Sequence, residues 1–144
     1  MTGRTLTAAM LGVADNPLGI AVECQEQELR GKCEYLVPVM IQIPIGELVL
    51  QPTEESHVAQ ISVASVVRDD KGRMSDVHER EYPIEIANDQ LLYAVGQRAE
   101  FVVGMVLREG PHRISISVRD EQSSIESTEF VDVEVGNVTG ETGR

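Results

Sequence analysis

The chain has 144 residues, with 24 acids against 12 bases and a formal net charge of −12. That length suits one domain with a full core. The acidic field argues against nucleic acid and anionic membrane surfaces as partners. No Trp, three Tyr and two Phe leave few ring faces for stacking on bases or sugars.

Met1-Thr2-Gly3-Arg4 lacks the charged-then-apolar order of a secretory leader, so none is expected. No apolar run approaches the roughly 20 residues of a bilayer-crossing helix. Leu6, Ala9, Met10 and Val13 follow the spacing of a short helix face, which Gly12 can end. Residues 1–17 thus read as an N-terminal helical or linker segment, broken by Asp15-Asn16-Pro17. Residues 18–136 read as a β-sandwich domain, and 137–144 as a flexible tail without periodicity.

Apolar alternation predicts strands near 18–25, 33–45, 47–51, 58–69, 77–87, 99–108, 112–120 and 128–135. In the second, Val37, Val39, Ile41, Ile43 and Ile45 point inward, and Pro38 and Pro44 share the opposite parity. Both missing N–H donors then fall along one side, so this strand is expected to lie at a sheet edge or to swap edges there, and is the candidate contact edge if its Pro-free stretch is exposed. Asn88-Asp89, ahead of residues 90–95 and Gly96, reads as an N-capped helical turn crossing between two sheets. Seven to eight short strands with regular turns predict an all-β, two-sheet antiparallel sandwich of the fibronectin type III or immunoglobulin kind.

Two strands end alike. Residues 61–70 and 114–121 each alternate and then stop at Val-Arg-Asp followed by a second acid. Asp69, Asp70, Asp120 and Glu121 could gather at one end of the sandwich and hold Ca²⁺ through carboxylate oxygens. The plainer reading is that such aspartates cap turns and pair with Arg68 and Arg119.

Cys24 and Cys33 lie on the apolar parity of successive strands. A turn near Glu28-Leu29 would make them face each other, either as two small buried thiols or as a cross-strand disulfide. His57, His78 and His112 are scattered among polar and turn residues and read as surface histidines rather than a metal site. Glu26 with Glu28, and Glu54 with Glu55, read as solvated loop charge. Asn137-Val138-Thr139 matches a glycosylation sequon, read as coincidence. Marks of nucleophilic catalysis, phosphate loops and zinc motifs are absent, so no cofactor and no enzymatic activity are expected.

The order and spacing of several short motifs carry a resemblance. They are residues 15–20 (Asp-Asn-Pro-Leu-Gly-Ile), residues 37–45 leading into 47–52, and His57 opening the next strand. Residues 67–73, 82–86 (Tyr-Pro-Ile-Glu-Ile) and 110–120 complete the set, which spans nearly all of 5–136. Together they resemble the C-terminal β-sandwich domain of bacterial von Willebrand factor A domain-containing proteins of the acidobacterial type. The resemblance implies a sandwich following an adhesion-type domain in an exported protein. That upstream domain carries an Asp-x-Ser-x-Ser metal site; this chain has no such motif, so that metal does not carry over. Pro111, His112 and Arg113 follow Gly110, so the tyrosine corner of fibronectin-type domains is missing or replaced by His112. The expectation is a non-enzymatic accessory or protein-interaction module, its partner a protein or an adjacent domain, with homo-oligomers left open. The alternative is a calcium-dependent adhesive module using the two acidic strand ends.

Overall fold

The computed structural model describes residues 15–136. The expected N-terminal helix face, the tail and the sequon lie outside the described residues. Within them, nine strands form two antiparallel sheets packed face to face, as the alternation predicts.

Sheet I is built on β3, Glu34–Pro44. Its inward row, Val37, Val39, Ile41 and Ile43, is fully excluded from solvent. Each such side chain contributes about 1.5–3 kcal/mol of burial. On one side β3 pairs along its whole length with β7, Arg98–Arg108. On the other it pairs first with β1, Ala21–Cys24, and then with β2, Glu28–Gly31. β3 is therefore central, contrary to the edge expected from its prolines. The reasoning about the prolines still holds in part. The Gln25 N–H donates to the Pro38 carbonyl at 2.8 Å, so the Pro38 main chain faces the β1/β2 side. Its missing donor sits where that neighbouring strand is interrupted, between Cys24 and Glu28. Pro44 lies beyond the end of β1, whose register stops at Ala21 opposite Gln42. Neither proline removes a ladder bond, so a middle strand tolerates both.

Sheet II is built on β5, Ser56–Asp69. It pairs on one side with β6, His78–Ala87, and on the other with β8, Gly110–Asp120, which pairs in turn with β9, Glu126–Val135. A two-residue strand, β4 (Gln51–Pro52), joins β5 ahead of β8. The segment expected to be a strand at 47–51 instead starts as a 3₁₀ turn, Ile45–Glu47, which buries Ile45. Ile61, Val63, Ile114, Ile116 and Val118 meet the β3 row across the sheets.

One flank of the sandwich is closed. Asp15 exchanges both main-chain hydrogen bonds with Thr128 of β9, and the Leu18 N–H donates to Ser127 Oγ at 2.8 Å. The opposite flank joins the sheets through the crossover between β6 and β7, a 3₁₀ turn Asn88–Gln90 running into α1, Leu91–Ala94. The helical turn is as expected, but Asn88 does not cap it. Its Oδ1 lies 2.7 Å from His57 Nδ1, and its amide donates to the Glu54 carbonyl, tying the crossover to the start of β5.

Gly46 lets the 3₁₀ turn and the crossover touch, because a Cβ there would sit 2.8 Å from the Val95 carbonyl oxygen. Gly46→Ala should therefore destabilise the protein by about 1–3 kcal/mol, visible as a lower midpoint in urea unfolding with an unchanged slope.

Candidate functional site

The two Val-Arg-Asp ends do not meet. β5 and β8 are antiparallel, with Ile61 opposite Asp120 and Asp69 opposite His112. The eight steps along β8 from His112 to Asp120 set the acidic ends about 27 Å apart. The four-carboxylate site therefore does not assemble. Each aspartate instead closes its own turn in the same way. Asp69 Oδ1 accepts the Lys71 N–H at 2.9 Å, and Asp120 Oδ1 accepts the Gln122 N–H at 3.0 Å. Both are the i-to-i+2 turns that aspartate favours. Asp69 also binds Arg73 through its N–H and Nε. Desolvation pulls the Asp69 carboxyl up, but these Arg73 and Lys71 hydrogen bonds outweigh it and hold the group below the usual aspartate range. Asp120 is fully buried, and its Oδ2 accepts the Val49 N–H at 2.7 Å, pinning the chain after β3 to the end of β8. Glu121 accepts a hydrogen bond from Ser62 and lies 3.6 Å from Arg119. Asp70 is exposed.

The cysteines also separate. The chain turns at residues 31–34, not near Glu28-Leu29, so Cys24 stands opposite Val39 while Cys33 precedes β3. Six positions along β3 put them about 20 Å apart. A disulfide needs Cα atoms within about 7 Å, and both thiols are free. Cys24 is half-buried, and desolvation, with the Glu23 charge behind it, pushes its thiol up. Cys33 is exposed, so the alternative of two buried thiols fails there as well. The paired glutamates at 26/28 and 54/55 are exposed, as expected of solvated charge.

What the sequence reading missed is an open groove on the crossover flank, about 890 Å³ in volume. That lies within the usual range of ligand sites. It forms because the inward row of β6 changes character. Ile86, Ile84 and Tyr82 cover the core at one end, and Tyr82 packs on Phe101 of β7 with ring centroids 4.7 Å apart. The next inward positions, Arg80 and His78, are exposed. A charge cannot enter the core unpaired, so the sheets part here and leave Val103, Met105 and Leu107 of β7 half-covered. His78 and His112 line this groove, whereas His57 lies at the far end of β5. Among the described residues, no three His, Cys, Asp or Glu side chains are grouped to hold a metal. The signal was legible in principle: Arg80 and His78 share parity with three core residues.

A second feature is the outer face of sheet I. The register sets Leu36 opposite Val106, Pro38 opposite Gly104 and Met40 opposite Val102. Val102 and Val106 are each 58% exposed. The outer face of an antiparallel sheet is ordinarily polar, so three consecutive apolar pairs stand out.

No known protein-family profile and no curated protein matches the chain. Solved structures do. One is described as the X-ray structure of Northeast Structural Genomics Consortium target SoR45, with 13% identity and a TM-score of 0.52 over 87% of this chain and 93% of that one. Another is Bacteroides uniformis β-glucuronidase 2 covalently bound to cyclophellitol-6-carboxylate aziridine, with 7% identity and a TM-score of 0.49. That match takes in 81% of this chain but 13% of the enzyme. At these identities the first likeness supports the fold alone, and the second carries no argument.

Asp69 has a depressed carboxyl, so its contribution is present above the unfolded value of about 3.9 and lost as pH falls below it. Asp69→Asn should melt lower than the parent at pH 6, with the difference shrinking below about pH 4. Asp120→Asn can accept only one of its two N–H bonds, and should cost about 1–3 kcal/mol in chemical unfolding at neutral pH.

Proposed function

We propose that this chain is a non-enzymatic accessory module, a sandwich of the immunoglobulin or fibronectin kind that works by protein contact beside an adhesion-type domain of an exported protein. The observation that carries the reading is the apolar outer face of sheet I. Leu36, Met40, Val102 and Val106 sit at register-matched positions, where burial against water gains nothing unless another surface covers them. Glu100 and Gln42, hydrogen-bonded at 2.7 Å, border this strip at one end, and Glu34 opposite Arg108 borders it at the other. An apolar centre with a polar rim is the ordinary composition of a protein interface. Leu92 and Tyr93 of α1 add exposed apolar surface, at 91% and 69% exposure. The chain's net charge of −12 disfavours copies of itself as partners.

A photo-reactive side chain at position 102, introduced into the protein in its native cell, should cross-link to one protein or adjoining domain. Met40→Glu should lower the cross-linked yield at least fivefold while changing stability by less than about 0.5 kcal/mol, as surface substitutions do. Absence of any cross-link, or a yield indifferent to Met40→Glu, would sink the reading.

A further inference from the structure

We propose that the groove between β6 and β7 receives an extended acidic peptide segment that adds to the edge of β7 as a further strand. The main chain supplies the first observation. The Glu109 N–H donates to the Cys33 carbonyl, and the Ile45 N–H donates to the Gln97 carbonyl, so odd-numbered residues of β7 direct their main-chain groups to β3. Val102, Gly104 and Val106 therefore direct theirs away from it. Among the described residues β7 has no strand on that side. Consecutive residues 102–108 line the groove, odd and even alike, as an accessible strand edge requires. Bare edges of this kind are templates for strand addition.

The second observation is charge. The whole chain has two acids per base. The groove reverses that balance, with Lys71, Arg73, Arg80 and Arg108 against Asp69, Asp70 and Glu109. Asp69 is already bound to Arg73 at 2.8 Å. Lys71, Arg80 and Arg108 have no ion pair among the described residues. A strand seated here alternates its side chains. Its inward set lies in the groove, where acidic residues reach Arg80, and its outward set lies beside Val102 and Val106, where apolar residues are favoured. The occupant is thus an extended segment that interleaves apolar and acidic residues, from a partner protein. This deepens the interaction reading on a different surface, so Met40→Glu, which ends docking of the outer face, should leave the groove intact.

The probes are a blocked hexapeptide of alternating Val and Asp and its Val/Lys counterpart, titrated into the intact chain by NMR. The Val/Asp peptide should bind, weaken as salt rises, and protect the Val102, Gly104 and Val106 amides from exchange. The Val/Lys peptide should bind at least tenfold more weakly. Val106→Pro removes one outward N–H without touching the β3 ladder, and should lower affinity at least tenfold. Arg80→Glu, at an exposed position where folding is safe, should do the same for the Val/Asp peptide and reverse the preference. The proposal fails if neither peptide binds, if both bind equally, or if binding ignores both variants. It fails equally if the free chain dimerises through this edge and Val106→Pro dissolves the dimer, since the edge then serves a second copy.

Discussion

The structure depends on β3 having neighbours on both sides while carrying two prolines. A central strand tolerates a missing donor only where its neighbour makes no demand for one. That single requirement breaks the adjoining strand into β1 and β2, opposite Pro38, and ends it before Pro44. The break in turn carries the chain on to a turn at 31–34, which is why Cys33 lies so far from Cys24. Gln27, in the break, holds β9 by donating to the Glu134 carbonyl and accepting from the Gly136 N–H. The interruption thus becomes a point where the two sheets are stitched.

The two flanks of the sandwich differ because their inward rows differ. On the β1/β9 flank, main-chain exchange at Asp15 and Thr128 and the Ser127 hydroxyl satisfy the polar groups that face each other. On the β6/β7 flank, closure lasts as long as β6 offers Ile86, Ile84 and Tyr82, and ends at Arg80. Tyr82 packs on Phe101 just before that point. Beyond it lies the groove, lined by one apolar strand and several cations.

The all-β class and most strand positions were legible because period-2 alternation reports a half-buried strand whatever its neighbours. β2 was not, since Glu28–Gly31 is exposed throughout and so leaves no alternation. Residues 47–51 misled because Leu48 is buried by a 3₁₀ turn rather than by a sheet. Proline parity told which side of β3 lacks donors but not whether that side was empty, because a broken partner and a bare edge look the same from one strand. The carboxylate ends were misjudged for lack of pairing direction: β5 and β8 run oppositely, so similar endings fall at opposite poles. Arg80 and His78, on the parity of three core residues, signalled a break in the inward row, but placing the groove needed the knowledge that β6 and β7 flank one opening.

The parity of β7 has a wider consequence. Odd side chains of this strand belong to the interior, even side chains to the outer face, and even main-chain groups to the open rim. Substitutions at positions 102 and 106 therefore alter the outer surface, while the odd positions hold the core. Surface and interior are thus written in alternate letters of one short word.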